Sequence, residues 1–266
     1  MTYDLKGKHV LVTGGSAGIG AALAEGFAAR GATVGICARR ADRLADVLAR
    51  CRAHAPESRS WTVDLADLGA LPAFARQVSD EMGGVDVLVN NAGIPKRKPV
   101  QVLTPEIVDQ LMEINYQSPV HLTLALLPEI TEREGRIVFV SSVAARLSPP
   151  AEAAYAATKA AISAWAECMK VDLRDTGVGI HVVYPGVIDT ELFHLPGNDP
   201  LPQTGVEMLP VDAMIEPVLG AIESGQFEVA VPDWFPDVYA GKYRDVEAFL
   251  EGTIAYVRTQ EAEGTG

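Results

Sequence analysis

Tyr155 and Lys159 are the residues in this chain whose types and spacing most directly suggest chemistry. They lie four positions apart in an alanine-rich run with few helix breakers. On an α-helix such residues share a face, about 5–6 Å apart at Cβ. A free phenol has a pKa of about 10 and is almost wholly protonated at neutral pH. An ammonium about 4 Å away stabilises a phenolate by roughly 4 kcal/mol at an effective dielectric near 20. Lysine is therefore expected to bring the tyrosine toward the range of a general acid/base. A chance pair on a solvated helix face is the alternative, and two residues alone do not separate the two.

The elements that must position this pair follow from the rest of the chain. At 266 residues it suits one α/β domain or two small ones, large enough to bury a core unaided. The formal charge of −13 argues against nucleic acid, anionic membrane surfaces and an acidic carrier protein as partners. Cys37, Cys51 and Cys168 are far apart, and the five histidines form no cluster, so no metal site is expected. No apolar stretch reaches about 18 residues, and no secretory leader is apparent, which suggests a cytoplasmic protein.

His9–Thr13 reads as a buried strand, and Gly14 through Gly20 as a glycine-rich turn. Ile19, Leu23 and Phe27 then recur at helical spacing. Strand, glycine turn and helix make a phosphate cradle: the backbone approaches a pyrophosphate closely, and the helix start supplies N–H donors. A tight turn that binds nothing is the alternative. The strand at Thr33–Ala38 ends in Arg39 and Arg40, where an NAD site usually carries an acid. Two guanidiniums there suit a 2′-phosphate, so NADP(H) is expected over NAD(H).

A third strand is expected over Trp61–Leu65, with Asp64 at its end facing an adenine or capping the next helix. Asp67 is better placed as the cap. A fourth, Val85–Asn90, runs into Asn91, Ala92 and Gly93, which suit a ribose or simply a turn. The Lys96-Arg97-Lys98 run reads as a solvated loop, with contact to an anionic substrate as the lesser alternative. Thr104–Leu127 reads as one long helix with Asn115 in its middle, either a satisfied core amide or a water holder. A fifth strand from Arg136 ends in Ser141-Ser142, and a sixth at Gly179–Tyr184 leads into Pro185 through Thr190. Residues 191–210 are rich in proline and glycine and read as a lid. A helix at Val211–Glu223, a strand at Glu228–Val231 and an aromatic patch at Trp234, Phe235, Tyr239 and Tyr243 complete the pattern. The alternation implies a doubly wound parallel sheet of about seven strands with helices on both faces. Residues 1–258 form its single Rossmann-type domain, and 259–266 a polar, frayed tail.

Taken together, these pieces resemble the short-chain dehydrogenase/reductase family over nearly the full chain. The resemblance rests on Thr13 through Gly20 (T-G-x-x-x-G-x-G), Asn90 through Gly93, Asn115, Ser142, Tyr155 with Lys159, and Pro185-Gly186 with Thr190. It implies that Tyr155 is the acid/base on a carbonyl or hydroxyl oxygen and that Ser142 bonds the same oxygen. Lys159 would lower the tyrosine pKa and hold a ribose, and Asn115 would position a water. The implied cofactor site comprises Gly14, Ser16, Ala17, Gly18, Ile19, Arg39, Arg40, Asp64, Leu65, Asn90, Ala92, Gly93, Pro185, Gly186, Ile188 and Thr190. Ala17 departs from the pattern, since some NADP-preferring members carry a base there, so the NADP expectation rests on Arg39 and Arg40. Val143, Pro150, Tyr184, Leu192 and Phe193 are the expected substrate wall, suited to an apolar ketone or alcohol. The implied activity is hydride transfer with a ketone or secondary alcohol, in a homodimer or homotetramer. A 3-oxoacyl-thioester reductase and a non-enzymatic dinucleotide sensor are the rivals.

Overall fold

The computed structural model describes residues 2–191 and 208–262. Seven strands form one parallel sheet in the order β3-β2-β1-β4-β5-β6-β7. They are β1 His9–Thr13, β2 Thr33–Ala38, β3 Arg59–Thr62, β4 Val87–Asn90, β5 Arg136–Val140, β6 Gly179–Pro185 and β7 Glu228–Val231. The order reverses between β1 and β4. There the connecting chains leave toward opposite faces, opening a crevice at the strands' carboxyl ends.

Side chains alternate across each strand and so feed two cores. Val10 and Val12 of β1 face one side with Val34, Val89 and Val183. That side is covered by α1 Gly18–Ala29, α2 Ala41–Arg52 and α7 Ile215–Ser224 through Leu23, Phe27, Leu44, Val47, Leu219 and Ile222. Leu11 faces the other side with Leu88, Ile137, Phe139 and Val182. There α3 Leu71–Met82, α5 Ser118–Glu132 and α6 Ala153–Asp172 contribute Phe74, Val78, Leu126, Ile130, Ile162 and Met169. Each fully buried aliphatic or aromatic side chain is worth about 1.5–3 kcal/mol relative to exposure, so the cores hold the sheet that carries the crevice.

Several expected boundaries shift. The third strand ends at Thr62 rather than Leu65. Asp64 Oδ1 instead accepts from Ala66 N at 3.1 Å, and Asp67 Oδ1 from Ala70 N at 3.2 Å. Carboxylates that bond nearby backbone turn the chain out of the ladder. The long helix is interrupted: α4 Pro105–Met112 passes through a π turn at Glu113–Gln117 before α5. The π turn inserts one extra residue where Asn115 sits, a common device at functional sites. After β7 come α8 Phe235–Arg244 and α9 Val246–Ala262. The expected polar tail is thus helical past Arg258 as far as Ala262. Most of the expected lid, and Leu192 and Phe193 with it, lies outside the described residues. Among the described residues no helix is long and apolar enough to cross a membrane, and no histidine, cysteine or acidic cluster suits a metal.

At the opposite, amino end of the strands, Asp86 fixes the β1–β4–β5 register. Its carboxylate accepts from His9 N at 2.9 Å and its carbonyl from Arg136 N at 2.8 Å. Gly135 passes so close that a Cβ there would lie 2.2 Å from Asp86 O. Gly135→Ala must therefore move backbone, and urea unfolding should show a loss of more than about 2 kcal/mol.

Candidate active site

The glycine turn sits at the carboxyl end of β1, at the head of the crevice. Gly14 and Gly18 adopt φ of +67° and +54°, open to glycine without strain. A Cβ on Gly14 would lie 2.9 Å from Ala92 Cα, and one on Gly20 2.4 Å from Gly14 O. The turn is stapled to the end of β4 by Thr13 and Asn91. Thr13 Oγ1 accepts from Asn91 N and Ala92 N, both at 3.0 Å, and Asn91 Nδ2 donates to Thr13 O at 2.9 Å. No side chain caps the start of α1 at Ala17. Its first N–H groups therefore face the crevice with the positive end of the helix dipole. Bare backbone, missing Cβ atoms and open donors fit the pyrophosphate of a dinucleotide. Ser16 is buried and Ile19 half-buried beside them.

Thr190 lies opposite, its Cγ2 3.1 Å from where a Gly18 Cβ would stand. Arg40 bridges the two rims. Its Nη2 donates to Ser16 Oγ at 3.3 Å and pairs with Glu191. Arg39 is exposed at the end of β2, without a hydrogen bond or ion pair among the described residues. The two arginines expected to share one task are thus in different circumstances. Asn90 turns its side chain toward α5, where Nδ2 donates to Thr123 Oγ1 at 3.0 Å, so only its backbone borders the crevice. Leu65 and Ile188 are buried core residues whose neighbours reach the rim. Gly186 is covered by Phe235 of α8, whose Cε2 lies 2.6 Å from a hypothetical Gly186 Cβ.

Asn115, Ser142, Tyr155 and Lys159 gather at the carboxyl edge of β4 and β5. The π turn aims Asn115 at the loop after β4. Its Oδ1 accepts from Ile94 N at 2.9 Å, and its Nδ2 donates to Ile94 O at 3.0 Å and Thr158 Oγ1 at 3.1 Å. Of the two alternatives for a mid-helix amide, the side chain is satisfied by protein. Gly93 lets the groups meet: a Cβ there would lie 3.1 Å from Asn115 Oδ1 and 3.4 Å from Lys159 Nζ. Lys159 is 5% exposed, and its ammonium donates to Val140 O at 2.9 Å. Ser141 and Ser163 both bond Lys159 O, fixing α6 against β5. Ser142 Oγ accepts from Ala144 N at 3.1 Å, and the Ser142 hydroxyl is near enough to the Tyr155 phenol to favour its ionised form.

The electrostatics depart from expectation. Burial raises the Tyr155 phenol well above its ordinary value, and the Glu152 carboxylate adds to this. The Ser142 hydrogen bond and the Arg97 guanidinium pull the other way without reversing it. Lys159 does not lower it here: Nζ stands 5.8 Å from the ring centroid and is directed at Val140 O. Burial also pushes the Lys159 ammonium down to about 8.

Two further expectations are corrected. Tyr184 is fully buried, accepting from Arg146 Nη2 at 2.8 Å and facing Tyr239, so it lines no substrate pocket. The Lys96-Arg97-Lys98 run is not a solvated loop, since Arg97 is 2% exposed. Flanking lysines and a proline looked like surface, and the buried guanidinium between them gave no periodic signal. Thr13, Asn91 and Thr158 also escaped notice as supports, because single hydroxyls and amides carry no pattern until the elements meet. Val143 and Pro150 are half-buried near Ser142 and the start of α6.

The family described as short chain dehydrogenase matches residues 8–199, most of the chain. The chain belongs to the short chain dehydrogenase family. A short chain dehydrogenase of Pseudocercospora fijiensis is 40% identical over 193 residues, which cover 71% of this chain and 62% of that protein. The chain spans only about three fifths of the length of such curated relatives. Among solved structures, a short chain dehydrogenase/reductase of Burkholderia phymatum in complex with NAD superposes with a TM-score of 0.83 at 21% identity. That match covers 92% of this chain and 96% of the other. A short-chain dehydrogenase of Sphingobium yanoikuyae in complex with NADPH gives 0.77 at 27% identity, covering 91% and 95%.

Holding Lys159 inside depresses its proton affinity, and that lowers stability. From an ordinary 10.5 to about 8 is equivalent to about 3 kcal/mol. The unfolded chain binds the extra proton, so this contribution rises with pH between about 8 and 10.5 and is most unfavourable below 8. Lys159→Met should therefore raise the thermal midpoint at pH 7, and the difference from wild type should shrink toward pH 10.5 in scanning calorimetry.

Proposed function

We propose that this short chain dehydrogenase is an NADP(H)-dependent oxidoreductase that interconverts a ketone and a secondary alcohol. The observation that carries the reading is the convergence of Ser142, Tyr155, Lys159 and Asn115 at the sheet edge beside the glycine turn. A nicotinamide dinucleotide supplies the hydride. The turn at Gly14–Gly20 and the open start of α1 hold its pyrophosphate. Lys159, next to Gly93, is placed to hold a ribose, and Pro185 through Thr190 border the nicotinamide end.

The protein's own part is proton transfer and orientation. Ser142 Oγ and the Tyr155 phenol, side by side at the sheet edge, direct two hydroxyls at one substrate oxygen. In reduction the phenol gives its proton to that oxygen as negative charge develops, and Ser142 stabilises the charge. A phenol raised by burial holds that proton until the hydride moves. Lys159 and Asn115 form the inner end of a path for replacing it. An intact set of four speaks against a dinucleotide sensor, which needs no proton path. The charge of −13 disfavours docking of an acidic carrier, and with it the 3-oxoacyl-thioester reductase.

Preference for NADP(H) rests on Arg39, since Arg40 is engaged with Glu191 and Ser16. The presence of an exposed guanidinium and the lack of an acid at the end of β2 support it. Val100, Val102, Val108 and Leu124 are exposed around α4 and α5, which supports self-association as a homodimer or homotetramer. A cytoplasmic site of action agrees with the unpaired cysteines.

A panel of ketones and alcohols, including acetophenone and 1-phenylethanol, assayed with both nicotinamide cofactors tests the activity. Tyr155→Phe should abolish turnover while NADPH still raises the thermal midpoint; activity within tenfold of wild type would remove the acid/base assignment. Arg39→Ala should weaken NADPH binding by at least about tenfold and NADH binding little, since one charged phosphate contact is worth about 1.5–3 kcal/mol. Equal losses for both cofactors in fluorescence titration would eliminate the 2′-phosphate contact.

A further inference from the structure

The loop after β4 does more than border the crevice. Its Ile94 is held by Asn115 at both backbone groups, and Lys98 N donates to Ala151 O at 2.7 Å. Between those anchors the Arg97 side chain is 2% exposed. Ala151 is turned to φ +59°, a left-handed backbone that costs a non-glycine residue roughly 1–2 kcal/mol. That turn sets up Glu152, half-buried at the start of α6, one helical turn before Tyr155. Glu152 O accepts from Ala156 N at 2.7 Å, so the Glu152 backbone is tied to the first turn that carries the phenol.

The Lys98–Ala151 bond thus sets Arg97 and Glu152 on adjoining segments, one helical turn before the phenol. Burying either alone would be strongly unfavourable. They act on each other: Arg97 stabilises the Glu152 carboxylate against the burial that raises it. They act on Tyr155 with opposite sign. Neither belongs to the motifs on which the family resemblance rests, and other described groups also lie near the phenol. Lys159 faces it from α6, neutral Ser142 from the end of β5, and the Asn115 amide closes the far side of Lys159.

We propose that Arg97 and Glu152, a guanidinium and a carboxylate brought by the loop after β4 and the start of α6, are positioning residues that set how readily the Tyr155 phenol releases its proton. The proposal rests on Tyr155 being the acid/base. Removing the carboxylate makes the phenolate easier to form, and removing the guanidinium makes it harder.

The test is the pH–rate profile for oxidation of 1-phenylethanol, or the fastest alcohol of the panel, at saturating cofactor. Oxidation requires the phenolate, so its rate rises with pH. Glu152→Gln should move the midpoint of that rise down by about half a pH unit or more, and Arg97→Gln should move it up by a similar amount. Midpoints that stay put, or that move the same way in both variants, overturn the pair. A purely structural contact would change thermal midpoint or KM without opposed shifts. Should Arg97→Gln fail to fold by circular dichroism, the downward shift in Glu152→Gln decides alone. Tyr155→Phe run in parallel separates the layers. If it keeps its rate, the acid/base reading fails; if it is inactive and the shifts are missing, only the pair is rejected.

Discussion

The constraint on which this structure depends is that an ammonium and an amide must be kept inside the protein with their polar atoms satisfied. Lys159 and Asn115 are both nearly inaccessible. Each unsatisfied donor or acceptor there would be unfavourable by about 1–3 kcal/mol. The protein answers with backbone: Val140 O for the lysine, and both polar groups of Ile94 for the asparagine. Those partners are free only because β4 and β5 end where they do and the chain beyond them leaves the ladder. The extra residue of the π turn rotates Asn115 to meet them. The regular sheet and the irregular edge are therefore one design, in which the ladder stops so that its last carbonyl can hold a charge.

The same logic orders the turn at the head of the crevice. Thr13 and Asn91 use their polar atoms on neighbouring backbone, and Gly14 N and Gly15 N both donate to Cys37 O, so the turn is fixed from within. What remains pointing outward is peptide N–H and Cα, a surface that a bulky or charged group reaches closely. Conformation is settled by protein–protein contacts, and affinity is left to the open groups.

Much of this was legible in the chain. Alternating apolar runs marked all seven strands to within a few residues, because a strand buried on both faces leaves a dense apolar signature. Glycine spacing marked the cradle, since only glycine relieves the contacts at positions 14 and 20. What stayed hidden depends on contacts between distant segments. Arg97 looks like a surface base in the sequence because nothing local shows that the fold buries its guanidinium. Asp64 looked like a strand end because its bond to Ala66 forms only once the chain has turned. The direction of the Tyr155 shift was misjudged for a like reason. Helical spacing brought the lysine near, but the tertiary fold spent its ammonium on a carbonyl and placed a carboxylate nearer in effect.

The family match ends at residue 199, yet the structured chain does not. β7 completes the sheet beside β6, and the Phe235 ring that follows packs against Gly186. The last quarter of the polypeptide thus backs the stretch of the crevice that follows Pro185. A substitution at Phe235 would therefore alter the crevice beside Gly186 without touching Ser142, Tyr155 or Lys159.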